Sequence, residues 1–165
     1  MNAAHLHLVL NHIPLIGIGF TLILLIIAFL RNSSELLTIA LIFSVMVALI
    51  TIPVYLTGEP AEEVVEDLPG VSESVIEQHE ESAEISFILA EVTGAIALIS
   101  LITLGYSQNY GRKLSMITLI LLIMSGGFMV WTANLGGKIQ HSEIRSGNPV
   151  TGSSGAISEE RDHDD

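Results

Sequence analysis

Four long apolar stretches without a charged residue dominate the chain, and shorter polar segments separate them. They cover residues 13–30, 36–58, 92–111 and 114–137. A helix needs about 20 apolar residues to cross the hydrocarbon core of a bilayer, so each stretch has roughly the length of one crossing. The pattern therefore predicts an all-α integral membrane protein. We place its four transmembrane helices at about residues 6–30, 36–56, 85–105 and 114–135, and expect Gly136 and Gly137 to end the fourth.

The first stretch is predicted to be a retained span rather than a cleaved signal peptide. A signal peptide combines a basic start with an apolar core of about 7–15 residues and a small-residue cleavage site. No Lys or Arg precedes Arg31, and the apolar stretch that ends there is longer than such a core. We assign residues 1–145 to one transmembrane domain. Residues 146–165, rich in Gly, Ser and acids, are predicted to be a disordered acidic tail.

A long acidic connection, residues 57–84, joins the second and third predicted spans. It holds ten carboxylates and no Lys or Arg. Ser74 and Glu77 fit a capping box, so the connection is predicted to be partly helical and to lie outside the membrane. At 100° per residue, His79 shares a face with apolar residues and is predicted to point toward the bundle, while most carboxylates face water. Glu91 continues the carboxylate face toward the membrane. A carboxylate inside a bilayer is costly, so Glu91 either lies at the interface or has a function.

The distribution of basic residues predicts the orientation. Arg31, Arg112 and Lys113 lie in the two short connections, whereas the N-terminus and residues 57–84 contain no Lys or Arg. Short loops rich in Lys and Arg stay in the cytoplasm. We therefore expect a multi-pass protein of the cell inner membrane with both termini on the extracytoplasmic side.

Composition excludes several functional classes. The chain has no cysteine, which excludes disulfides, thiolate metal sites, iron–sulfur clusters and covalently attached c-type haem. Six Lys and Arg against eighteen acidic residues are too few to neutralise a nucleic-acid backbone. The sequence contains neither the His-Glu-x-x-His motif of metalloproteases nor a nucleophile elbow, which favours a function other than catalysis.

Histidines concentrate at one end of the predicted bundle. Five of the six fall on the side of the long connection: His5, His7, His12, His79 and His141. Neutral imidazole is the common protein ligand of haem iron, copper and zinc. The one-sided cluster therefore predicts a cofactor or metal site, against the alternative that these residues are polar anchors and no cofactor is bound.

Two kinds of centre fit this cluster. A b-type haem needs two facing imidazoles; we prefer His12 and His79 as this pair, with His7, His141 and His5 in reserve. A divalent metal ion is the alternative. Its candidate ligands combine imidazoles and carboxylates: His12, His79, His141, Glu80, Glu59 and Glu143.

The ends of the predicted bundle carry a family resemblance. Residues 7–14 read His-Leu-Val-Leu-Asn-His-Ile-Pro, and residues 135–141 read Leu-Gly-Gly-Lys-Ile-Gln-His. These motifs resemble a family of uncharacterised four-helix bacterial membrane proteins with an N-terminal His…His-x-Pro and a C-terminal Gly-Gly…His. The chain departs from that pattern at Leu8, where the family has proline, and at Gln140 and Ser142, where it has an aromatic residue and glycine. Some relatives look associated with extracytoplasmic cytochromes, so the resemblance implies a redox setting.

Three hypotheses arise for the function. The first is a small membrane subunit that binds haem b at its outer face and exchanges electrons with a partner. The second is a non-catalytic accessory or scaffold protein, whose acidic connection docks a basic extracytoplasmic partner. The third is a divalent-metal-binding membrane protein. All three have the lipid bilayer as a partner.

Overall fold

Every regular element that the computed structural model describes, over residues 3–66 and 71–140, is an α-helix. The helices are α1 (Ala3–Leu10), α2 (His12–Leu30), α3 (Ser34–Leu56), α4 (Gly58–Val65), α5 (Glu73–Tyr106) and α6 (Gln108–Gln140). The structure contains four helical segments long and apolar enough to cross a membrane, which include α2, α3, α5 and α6 respectively. The all-α class and the count of four such segments are confirmed. The predictions for His141, Glu143 and the tail lie outside the described residues.

The four long helices run up and down as antiparallel neighbours. α3 packs between α2 and α5, α5 packs most extensively on α6, and α6 also contacts α2. This order brings α1, α4, the start of α5 and the end of α6 to one end of the bundle, which we call the histidine end. The opposite, basic end carries Arg31, Arg112 and Lys113. There the Arg112 guanidinium lies 5.5 Å from the centre of the Phe29 ring, a cation–π contact between α6 and α2.

The first predicted span consists of two helices that are divided at Asn11. Pro14 lies three residues beyond the break and has no backbone N–H to donate to the carbonyl of Leu10. The backbone N–H of Asn11 still donates to the carbonyl of His7 at 2.8 Å. The backbone at Asn11 stays helical, with φ of −61° and ψ of −24°, so α1 and α2 form one segment, Ala4–Leu30, and α1 packs mainly on α4 just as α2 packs on α3.

The connection at the basic end between α2 and α3 is a tight turn. Asn32 adopts a left-handed conformation with φ of 51°, which asparagine tolerates better than most residues. Ser33 then caps α3 by accepting a hydrogen bond from the backbone N–H of Leu36 at 3.3 Å. Two adjacent residues therefore reverse the chain and start the next helix.

Hydroxyl side chains join α5 to α6 at intervals of seven residues. The pairs are Ser86–Thr132 at 2.8 Å, Thr93–Ser125 at 2.9 Å and Ser100–Thr118 at 3.3 Å. Each step of seven residues along α5 corresponds to a step of seven backward along α6. This heptad register is the geometry of left-handed antiparallel helix pairs, and small residues let the two backbones approach closely.

α6 extends further than the sequence predicted. It begins at Gln108 and continues through Gly136 and Gly137, which were expected to stop it near Leu135. A Cβ atom on Gly136 would lie 3.1 Å from Cε1 of His79. The glycine at this position therefore makes room for an imidazole on α5 and does not end the helix.

α3 and α5 meet at two close contacts. The rings of Tyr55 and Phe87 stack with their centroids 4.3 Å apart. One and a half to two turns further along α5, Gly94 lies against Ala48, so close that a Cβ on Gly94 would overlap the Cβ of Ala48. Both residues are buried. The absence of a side chain at Gly94 thus sets the distance between the two helices.

We expect Gly94→Ala to destabilise the protein by about 1–3 kcal/mol, because the added methyl group forces α3 and α5 apart. Thermal unfolding of the purified protein measures the change. Gly105→Ala is the matched control on the same helix, since nothing lies within 4 Å of its Cβ position. Alanine favours the helix there, so Tm should stay constant or rise. Equal Tm values for the two variants would contradict the close contact.

Candidate functional site

The four described histidines all lie at the histidine end, but their surroundings differ. His5 and His12 are exposed on α1 and at the start of α2, whereas His7 and His79 are half-buried. The prediction that His79 points toward the bundle is confirmed. His7 and His79 therefore have the fixed surroundings that a binding site requires.

His79 is held against α6 by its Nδ1 atom, which lies 3.0 Å from the carbonyl oxygen of Thr132. A carbonyl oxygen only accepts hydrogen bonds, so Nδ1 carries the hydrogen and donates it. In the neutral ring, Nε2 then keeps its lone pair. The described residues offer no hydrogen bond to this atom. The bond to Thr132 and the contact with Gly136 fix the plane of the ring.

His7 has the same arrangement at the junction of α3 and α4. Its Nδ1 atom lies 3.2 Å from Oγ1 of Thr57. The Thr57 hydroxyl donates its own hydrogen to the carbonyl of Val54 at 2.8 Å, so it accepts from His7, and the same backbone carbonyl also lies within hydrogen-bonding reach of the imidazole. Nε2 of His7 again keeps its lone pair in the neutral ring. A Cβ on Gly58 would lie 3.9 Å from Cε1 of His7, so a glycine lies beside this ring as well.

The electrostatic surroundings favour a neutral imidazole at His79. This residue lies before the third predicted span, residues 85–105. Burial lowers the pKa of His79 below the ordinary value. The positive charge of a protonated His7 would lower the pKa of His79 further, which means that the two rings lie within electrostatic reach.

A row of hydroxyl groups lies beneath His79 in the seam between α5 and α6. Oγ1 of Thr132 lies 2.6 Å from Oγ of Ser82 and 2.8 Å from Oγ of Ser86, and all three residues are buried. His79 lies seven residues before Ser86, so it continues the heptad row of the seam. This network was not predicted from the sequence, although its serines and threonines recur there at intervals of seven residues.

Carboxylates from α4 and α5 converge beside the histidine pair. Burial raises the pKa of Glu62, and repulsion from Glu80, Glu66 and Glu59 raises it further. Glu59 and Glu80 are exposed. Over the described residues, no group of three or more His, Asp and Glu side chains could hold a metal ion. The described histidines and carboxylates therefore do not form a mixed His/Glu centre by themselves.

Glu91 differs from the other carboxylates of α5. Glu77, Glu80, Glu81 and Glu84 are exposed, as predicted. Glu91 is half-buried, and its Oε1 atom is fully buried without a hydrogen-bond partner among the described residues. It lies one turn beyond Phe87, whose ring stacks on α3. The carboxylate face of α5 thus ends in the contact region between α3 and α5.

The structure gives the two candidate partners of His79 different surroundings, and the pairing of His12 with His79 stays a prediction. His7 lies within electrostatic reach of His79, whereas the side chain of His12 is exposed on α2. His12 lies five residues after His7, which places the two on different sides of a helix. Gly19, seven residues after His12, is exposed and has nothing within 4 Å of its Cβ position.

Comparisons with protein-family models, with curated proteins and with solved structures find no match to this chain. The family resemblance of the two end motifs therefore stays a prediction. The function has to be argued from the geometry of the histidine end.

We expect the stability of the protein to fall as the pH is lowered from about 7.5 to about 5. The pKa of His79 is lower in the folded state than in the unfolded state, so the unfolded state binds the proton more tightly as pH falls. Stability is fully present above the unfolded pKa and decreases as the pH falls toward the folded pKa.

His79→Gln should reduce this slope in Tm measured against pH. His12→Gln is the control, because His12 is exposed. If His79→Gln kept the full dependence of Tm on pH seen in the parent protein, the burial of the His79 imidazole would not be the cause of that dependence.

Proposed function

We propose that the chain is a small multi-pass membrane protein that binds the iron of a b-type haem between His7 and His79 and transfers electrons at its extracytoplasmic face. The observation that supports this proposal is that both imidazoles make the same kind of hydrogen bond from the same ring nitrogen. Each donates from Nδ1 to a fixed acceptor and keeps the Nε2 lone pair. A hydrogen bond from the second ring nitrogen orients most histidines that ligate metals.

The packing of the histidine end supports a planar ligand between the two rings. α1 packs mainly on α4, and α5 packs mainly on α6, so His7 and His79 belong to two different helix pairs. Gly58 and Gly136 lie beside the two rings. A porphyrin would enter by displacing the α1–α4 pair from the α5–α6 pair, without disturbing the hydroxyl seam within the latter.

The protein residues have defined roles in this proposal. Thr57 and the carbonyl of Thr132 hold the imidazoles in the tautomer that presents Nε2. The bound haem supplies one-electron redox chemistry. The carboxylates of α4 and α5 give the surface beside the site a negative charge, which favours a basic redox partner through electrostatic steering.

A single transition-metal ion shares the same ligand chemistry, since copper and zinc also bind neutral imidazole. The two described histidines would then need a further ligand, and His141 and Glu143 were predicted as such. Haem iron and a bare ion differ in their absorption spectra, and this difference decides between them.

The test is an absorption spectrum of the full-length protein, purified in detergent after expression with ample haem. We expect a Soret band, and α and β bands that sharpen on reduction with dithionite. His7→Ala and His79→Ala should each reduce the bound haem at least about tenfold, because each removes one of the two imidazoles that would hold the iron. His5→Ala and His12→Ala are the matched controls and should retain it.

Three results would contradict the proposal. A protein that lacks the bands but contains copper or zinc in elemental analysis would carry a bare metal ion. A protein without iron, copper or zinc would leave the histidines with a structural role alone. Loss of haem in His12→Ala with retention in His7→Ala would restore the pair that the sequence favoured.

A further inference from the structure

A small cavity lies at the centre of the bundle, away from the histidine end. Its volume is about 10 Å³, and all four long helices contribute to its lining. Ile18 of α2 and Leu122 of α6 give it apolar walls, while Ser44 of α3, Thr93 of α5 and Ser125 of α6 bring hydroxyl groups. Each of these five residues is at least 97% buried.

The hydroxyl groups around this cavity are not all satisfied by the protein. Thr93 donates its hydrogen to the carbonyl of Leu89 at 2.6 Å, so Ser125 must donate to Thr93 across their 2.9 Å contact. Oγ of Ser125 therefore keeps lone pairs that can accept a further hydrogen bond. Oγ of Ser44 is fully buried and has no hydrogen-bond partner among the described residues. The cavity thus presents one unused donor and several unused acceptors.

We propose that this cavity is a binding site for one water molecule, held by Ser44, Thr93 and Ser125. A cavity of about 10–15 Å³ by this measure admits one water, and a buried water typically makes two to four hydrogen bonds. The water accepts from the Ser44 hydroxyl and donates to Ser125 or Thr93. It thereby connects α3 to α5 and α6. Among the described residues, no hydroxyl group of the α5–α6 seam bonds directly to α3.

Water fits this site better than the other candidate occupants. No carboxylate lines the cavity, so a bare cation would lose its hydration without gaining a counter-charge. An empty cavity would leave the Ser44 hydroxyl buried and unpaired, which is costly. This inference does not depend on the proposed haem, because the cavity and the histidine pair share no residue.

A crystal structure of the full-length protein, grown in a lipidic phase and resolved well enough to show ordered water, tests the proposal directly. We expect one density peak about 2.7–3.2 Å from Oγ of Ser44 and from Oγ of Ser125 or Oγ1 of Thr93. An empty cavity would overturn the proposal. A peak with the shorter contacts of a metal ion, about 2.4 Å, would overturn the proposal in favour of a cation.

The Ser44→Ala variant gives a second test, because the sign of its effect depends on the occupant. If water bridges Ser44 to α5 and α6, the variant loses the bridge and Tm falls by about 2–4 °C. If the cavity is dry, the variant removes an unpaired buried hydroxyl, and Tm rises or stays constant.

Ser115→Ala is the matched control for this substitution. Ser115 is also a fully buried serine, but its hydroxyl donates to the carbonyl of Gly111 within α6 and does not line the cavity. This control should keep the density peak, whereas Ser44→Ala should lose it. A Ser44→Ala protein that retained the peak would overturn the assignment of Ser44 as a ligand of the water.

Discussion

The close packing of α5 on α6 is the constraint on which the rest of the structure depends. Hydroxyl pairs at intervals of seven residues fix the register of the two helices over residues 86–100 of α5 and 118–132 of α6. In an apolar environment, dispersion and interhelical hydrogen bonds are the main forces between helices, since burying apolar side chains gains little there. α3 then packs on this pair through Gly94, and α2 completes the bundle.

The same register positions the chemistry at the histidine end. His79 lies seven residues before Ser86 on α5, where α6 offers the carbonyl oxygen of Thr132 and the open space beside Gly136. The imidazole is therefore oriented by the seam that holds the helices together. His7 is held instead by Thr57, at the junction of α3 and α4, because α1 continues α2 and packs on α4. Two separate sets of contacts thus hold the two rings at the same end of the bundle.

Periodicity and charge were enough to predict the helices from the sequence, whereas features that depend on tertiary contact were missed. The apolar stretches predicted four long helices, and the helical period correctly turned His79 inward and Glu80 outward. The sequence could not distinguish His12 from His7 by burial, because the contact of His7 with Thr57 joins residues that are 50 positions apart. The glycines at 136 and 137 were interpreted as a helix end because their contact with His79 could not be seen in one helix alone.

The unequal lengths of the helices have a consequence for the membrane in which the protein can reside. The first membrane-length segment, Ala4–Leu30, has 27 residues and is about 40 Å long, whereas α5 has 34 residues and is about 51 Å long. In a bilayer, hydrophobic mismatch would act first on this segment, because the other three have 32 to 34 residues. A thicker bilayer would have to thin around it or take in α1 as well as α2. Differences in bilayer thickness would therefore act on this protein through the segment that carries His7.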